Sequence, residues 1–185
     1  RTKSILESLQ QGQISVDDAL LQLKLEPFQD LGYAKVDHHR RLRQGVPEVI
    51  YGAGKTPEQM VGIVSAMEEA GQETVLITRL SPEAAEIVGK THPLTYHEMG
   101  RIATVGPLPE PDGLGTIVIA TGGTSDVPVA EEAAVTAQAL GNRVRRLYDV
   151  GVAGVHRLLA NLEYIMDASV IIAIAGMEGF VRENL

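Results

Sequence analysis

The sequence predicts an α/β protein in two parts. A small N-terminal α/β domain spans residues 1–112, and the first part of a parallel-sheet domain spans residues 113–185. Three observations carry this. Short β-branched runs alternate with helix-period runs, as in βαβ chains whose strands pair in parallel through right-handed crossovers. Pro107 to Gly115 gathers three prolines and two glycines between two such series, the best linker in the chain. Val170 to Ala175 is apolar at nearly every position, the pattern of a strand covered on both faces.

Taken in order, Leu6 to Leu25 reads as two short helices. Ser15 caps the second, with Asp17 and Asp18 in its first turn, where carboxylates suit the positive helix end. Ala19, Leu20 and Leu23 form its buried stripe. Asp37 to Arg43 is highly polar and reads as a helix or turn ending at Gly45. Val49 to Tyr51 is a short strand. Thr56-Pro57-Glu58 opens a helix, cap first and proline at the first helical position, and Gly71 closes it. Thr74 to Thr78 is a strand, Ser81-Pro82-Glu83 opens a helix reaching about Val88, and Ile102 to Val105 is another strand. Beyond the linker, Thr116–Ala120, Val144–Tyr148 and Ser169–Ala175 are strands. Pro128–Leu140, closed by Gly141, and Gly154–Met166 are the helices between them. A doubly wound sheet usually holds five or more strands. Either the first half completes the sheet or the chain is cut; the final Glu-Asn-Leu and the missing initiator Met favour a cut chain.

The chain has 185 residues, 44% hydrophobic and 22% charged, enough to bury a core without staples. It has no cysteine, hence no disulfide, thiolate metal site or cysteine nucleophile of its own. No apolar run approaches 18 residues and the start is too polar for a signal peptide, so a cytoplasmic location without membrane partners is expected. A net charge of −8 argues against nucleic acid as a partner.

Chemistry concentrates at three turns. Gly122-Gly123-Thr124-Ser125-Asp126 lies between an apolar strand and a helix start. There glycines admit close backbone approach, a helix N-terminus favours anions, and Ser125 and Asp126 can cap the helix. Asp149 follows the next strand directly, with His156 and Arg157 early in the next helix. Arg157 suits a bidentate phosphate or carboxylate, and His156 suits proton relay or a ligand hydrogen bond. Glu178 lies between glycines just past the third strand. Each has a plain structural alternative, respectively a capped turn, a surface Arg with a structural His, and a solvated Glu. Their position after consecutive strands raises all three, because those strand ends meet at one sheet edge.

Three motifs rank lower. Gly52-Ala53-Gly54-Lys55-Thr56 imitates a phosphate loop but has Val49 where the first Gly is required, which leaves Lys55 as an auxiliary anion contact. Asp37-His38-His39 is a poor chelate, and Arg40, Arg41 and Arg43 beside it suggest a solvated or anion-facing segment. Arg143, Arg145 and Arg146 fit a strand edge better than a nucleic-acid surface.

Four segments together, VDHHRRLRQGVPEVIYGAGKTPEQ, ATGGTSDVPVAEEA, DVGVAGVHR and IIAIAGMEG, carry a resemblance from about Ile14 to Gly179. They are similar to the nickel-pincer-cofactor biosynthesis carboxylases and the circadian phase modifier proteins, relatives of the aminoimidazole-ribonucleotide carboxylases. The Ser-Asp turn of that fold appears here as Ser125-Asp126. The resemblance implies a flavodoxin-like second domain that carboxylates nicotinic acid adenine dinucleotide with CO2 or bicarbonate. The phosphoanhydride is hydrolysed, giving pyridinium-3,5-biscarboxylate mononucleotide and AMP.

On that resemblance Glu178, Ser125 and Asp126 are catalytic, with Glu178 as general base. Gly122, Gly123, Thr124, Asp149, His156 and Arg157 bind substrate. No metal is assigned; Mg2+ is an optional auxiliary, and the full-length protein is a homo-oligomer. The family's cysteine nucleophile has no counterpart here, which implies an inactive fragment. An aminoimidazole ribonucleotide carboxylase or mutase and a regulatory nucleotide-binding module are the competing expectations.

Overall fold

This computed structural model describes residues 2–25, 28–37, 47–151 and 155–176. The chain forms two compact units, residues 1–48 and 49–185. The expected domain limit at 112/113 thus lies within the second unit, between its two sheets.

The first unit holds helices α1 (Thr2–Gln10) and α2 (Val16–Leu25) and the antiparallel hairpin of β1 (Phe28–Asp30) and β2 (Lys35–Asp37). Ser15 opens α2 as expected: its hydroxyl accepts the Asp18 N–H at 3.0 Å and donates to the Asp18 carboxylate at 2.6 Å. Ala19 is buried, but Leu20, expected in the same stripe, is half exposed. The hairpin turns on Gly32, whose φ of +82° suits a residue without a Cβ. Asp30 accepts the Gly32 N–H there at 2.8 Å. The polar segment reading on residues 38–45 lies outside the described residues; Asp37 itself ends β2.

The second unit contains two sheets. The first has the order β3 (Val49–Tyr51), β4 (Val75–Thr78), β6 (Ile102–Val105), β5 (Leu94–His97). Its β3–β4 pair is parallel, and its other two pairs are antiparallel. The second sheet has β7 (Thr116–Thr121) between β8 (Arg143–Leu147) and β9 (Val170–Ile174), all parallel. The fold is therefore mixed α/β with parallel strands in both larger sheets. The first half does not complete the second sheet; it builds its own.

Helix starts follow the sequence grammar closely. Helix α3 (Pro57–Glu69) begins with a capping box in which Thr56 and Gln59 satisfy each other's backbone N–H groups. Helix α4 (Pro82–Gly89) begins with Ser81 accepting the Ala84 N–H. Helix α5 (Val127–Ala139) departs from expectation, since neither Ser125 nor Asp126 caps it with a side chain. The expected Gly154–Met166 helix is two short ones, α6 (Val155–Leu159) and α7 (Leu162–Met166). At the break, the Asn161 amide donates to the Arg157 carbonyl at 2.8 Å, a local bond that competes with continued helix.

Helix α5 positions the rest. Ala130 and Ala134 pack on Ile119 of β7, with Ile117, Ile172 and Ile174 beside them. Val135 and Ala139 pack on Leu76 and Ile102 of the first sheet. Alanines let a helix lie close to sheets on two sides. The other face of the second sheet, Val118 and Ala120, packs with Leu147, Val150, Leu158 and Ile165. Strand β7 is thus covered on both faces, as its apolar run requires. Strand β9 is not: Val170 is half exposed and Ala173 is exposed, because among the described residues β9 is an edge strand with neighbours on one side.

Candidate functional site

The ends of β7, β8 and β9 meet. Gly122 donates its N–H to the Ile174 carbonyl at 3.0 Å, and Val150 donates to the Thr121 carbonyl at 3.0 Å. Thr121, fully buried, accepts the Asp149 N–H on its hydroxyl at 2.8 Å. Gly151 lies so close to Gly122 that a Cβ would stand 2.2 Å from the Gly122 carbonyl oxygen. Position 151 therefore needs glycine for space, while a Cβ at position 122 would crowd Ala175 at 3.3 Å.

Asp126 ties this edge together. One carboxylate oxygen accepts the Gly123 N–H at 3.0 Å and the other accepts the Gly176 N–H at 2.9 Å. Asp126 ends a single 3-10 turn, Thr124–Asp126, which points its side chain back over the glycines. The turn thus differs from the expected open anion nest: the Gly122 and Gly123 N–H groups are both engaged. The N–H groups of Thr124 and Ser125 have no acceptor among the described residues, and both residues are exposed.

Asp149 stands at φ +57°, a left-handed conformation uncommon for a residue with a side chain. Its carboxylate forms a close ion pair with the Arg157 guanidinium on α6. Both side chains are partly open, so the pair is screened and contributes little by itself to stability. His156 is exposed beside Arg157. Glu178 lies outside the described residues, as do His38, His39, Arg40, Arg41 and Arg43. The Ser125-Asp126 turn, Asp149 with Arg157, and Gly176, the residue just past β9, therefore belong to one strand-end edge.

A second polar group went unread in the sequence. The Tyr148 hydroxyl donates to Glu131 at 2.6 Å, and Arg146 donates to Glu131 and to Gln138. Burial, then the bond to Glu131, pushes the Tyr148 phenol far above its ordinary pKa, so it is a neutral donor. Burial likewise lowers the His97 pKa, and His97 Nε2 is buried without a hydrogen-bond partner among the described residues. Glu131 and Arg146 both act on His97 electrostatically. The signal available in sequence was the Glu131-Glu132 pair on an otherwise Ala-rich helix. Of the arginines on the edge strand β8, Arg146 takes Glu131 and Arg145 stacks over the Tyr164 ring at 3.6 Å.

Among the described residues no group of three or more His, Asp or Glu could hold a metal ion, and Asp126 has both oxygens committed to backbone. Among the described residues, too, no helix is long and apolar enough to cross a membrane.

Comparison with known proteins bears on the whole chain. The description "LarB/PurE-like N-terminal domain" matches residues 28–107, ending where the Pro/Gly-rich stretch begins. An uncharacterized protein of Methanocaldococcus jannaschii is 33% identical over 186 residues, covering 96% of this chain and 73% of that protein.

Proposed function

This chain belongs to the LarB/PurE-like family, and from that membership we propose that it is part of a pyridinium carboxylase of flavodoxin-like second-domain architecture. Its substrate in this reading is nicotinic acid adenine dinucleotide, carboxylated on the ring by CO2 or bicarbonate and cleaved by water at the phosphoanhydride, with AMP leaving. The observation that carries the reading is the shared strand-end edge, where Asp126 ties the Ser125 turn to Gly176 and the Thr121 hydroxyl holds Asp149, paired with Arg157, beside them.

The chemistry has one obstacle. A pyridinium carbon is electron-poor and does not attack CO2. A thiolate that adds to the ring breaks aromaticity and leaves a neighbouring carbon enamine-like and nucleophilic. That carbon bonds to CO2, a base takes its proton, and expulsion of the thiolate restores the ring. Glu178, two residues past Gly176, is the base in this reading. The N–H groups of Thr124 and Ser125, without acceptors among the described residues, and the Ser125 hydroxyl suit a carboxylate or CO2. Arg157 reaches a ligand phosphate while Asp149 orients it, and His156 supplies a further hydrogen bond. Gly122, Gly123 and Gly151 keep the floor of the site free of side chains. Asp126, expected as a catalytic group, serves here as the strut of that floor. No step is routed through Mg2+.

The chain has no cysteine, so the thiolate comes from outside these 185 residues. Mixed with the dinucleotide and bicarbonate, the purified chain is expected to yield no dicarboxylate by mass spectrometry. Calorimetric titration tests the binding half. The dinucleotide should bind, and Arg157→Ala should weaken it about tenfold, the loss of one charge-assisted contact. Preference for aminoimidazole ribonucleotide would replace this substrate with that of the purine-pathway relatives. The missing cysteine also favours a second reading, a regulatory module that binds nucleotide without turnover. Supplying the missing part of the domain in trans separates them, since restored dicarboxylate formation excludes a purely regulatory role.

A further inference from the structure

Away from the Asp126 edge, the first sheet of the second unit carries its own cleft. The parallel strands β3 and β4 end side by side, and β6, antiparallel to β4, begins next to them. Their ends enclose a cleft of about 540 Å3 lined by Tyr51, Gly52, Lys55, Arg79, Ser81 and Arg101, among others. That size falls within the roughly 300–1,000 Å3 of small-molecule sites.

The lining is chemically one-sided. Among the described residues it contains Lys55, Arg79 and Arg101 and no Asp or Glu, in a chain whose net charge is −8. Arg79 is steadied by Glu132 at 3.3 Å. Neither Lys55 nor Arg101 is held in an ion pair by a described residue. Neighbouring helix ends are not the source of the charge, because Glu58 and Glu83 already accept backbone N–H groups there. The positive field comes from the three side chains.

The backbone is shaped to present them. Gly52 donates its N–H to the Thr78 carbonyl at 2.8 Å, and a Cβ on it would stand 2.8 Å from that same oxygen. Lys55 closes a tight turn onto Gly52 through Gly54, whose φ is +79°. Arg79 and Arg101 both sit in the left-handed region, at φ +54° and +49°, and the Leu80 N–H donates to the Arg101 carbonyl at 2.8 Å. Tyr51 leaves 59% of its surface exposed at the cleft, an aromatic face with nothing stacked on it among the described residues.

We propose that this cleft binds a nucleotide, with its phosphate between Lys55 and Arg101 and its heterocycle against Tyr51. The phosphate is a dianion or monoanion that forms charge-assisted bonds with Lys55 and Arg101, neither of which is ion-paired to a described residue, while Glu132 engages Arg79. A flat ring on an exposed tyrosine adds contact without sequence-specific groups. This assignment is independent of the carboxylase reading, which concerns the edge of the other sheet.

The 185-residue chain is titrated calorimetrically with AMP, with adenosine and with inorganic phosphate, and the AMP titration is repeated by amide NMR. AMP should bind more tightly than either part alone and shift the Gly52–Lys55 amides. Lys55→Gln and Arg101→Gln should each weaken AMP tenfold or more. Tyr51→Ala should weaken AMP but not phosphate. No amide shifts at millimolar AMP would overturn the proposal, as would wild-type affinity in Lys55→Gln and Arg101→Gln. Equal affinity for phosphate and AMP would overturn the nucleotide assignment, and amide shifts confined to the Thr124–Asp126 turn would move the nucleotide to the other edge. The wild-type amide shifts decide the matter even if a variant folds poorly.

Discussion

Asp126 shows how much one side chain can decide. Its two oxygens accept N–H groups from residues 3 and 50 positions away, the second tying the turn after β7 to the residue just past β9. Asn has one acceptor and one donor in the same outline, so Asp126→Asn sets an N–H against an N–H at one of the two positions. The expected loss is about 1–3 kcal/mol, read by urea unfolding. A variant as stable as the parent would show that the tie is not formed in solution. Gly151→Ala is a steric counterpart: its Cβ meets the Gly122 carbonyl at 2.2 Å, and overpacking of that kind costs roughly 1–3 kcal/mol. His97 gives a pH signature. Burial lowers its pKa below the ordinary 6.5, so the folded state prefers the neutral ring while the unfolded chain takes a proton near 6.5. Its contribution is intact above pH 6.5, declines as pH falls below that value, and is fully lost below the depressed folded pKa. Replacing His97 with Asn should flatten the decline in stability between pH 7.5 and 5, and an unchanged slope would assign it to other groups.

At the scale of elements, caps were readable and pairing was not. Thr56-Pro57 and Ser81-Pro82 start helices where local chemistry says they should, since a cap needs only a side chain and a backbone three residues on. Thr56→Ala should cost about 1 kcal/mol, within the usual 0.5–2 for a lost cap, and a larger loss would mean that Thr56 also holds the cleft turn. Strand β5, Leu94–His97, escaped notice because its four residues alternate only weakly between buried and open. It exists through antiparallel pairing with β6 across the Glu98–Arg101 turn, which contains Gly100. There a Cβ would meet the Glu132 backbone nitrogen at 2.9 Å, so helix α5 itself holds the turn in place. The break between α6 and α7 was equally hidden, because an Asn side chain bonding back to a carbonyl looks in sequence like any polar helix residue.

Across the second unit, α5 is a layer shared by two sheets. Its alanines face β7 and its Val135 and Ala139 face Leu76 and Ile102. Damage to one sheet should therefore reach the other. Ile102→Ala should cost about 2–5 kcal/mol and should speed amide exchange in β7 as well as in β4. Wild-type protection in β7 would show that the two sheets open independently. By itself, the amino-acid order determined the helix starts, the apolar strands, the strand-end turns rich in glycine, and the absence of any thiol, because each depends on residues a few positions apart or on composition. Tertiary structure decided that the first half builds a mixed sheet of its own, that Asp126 is a strut across two strand ends, and that Lys55, Arg79 and Arg101 share a cleft. Those outcomes depend on hydrogen bonds, packing and field between residues tens of positions apart, where no local pattern records which groups will meet.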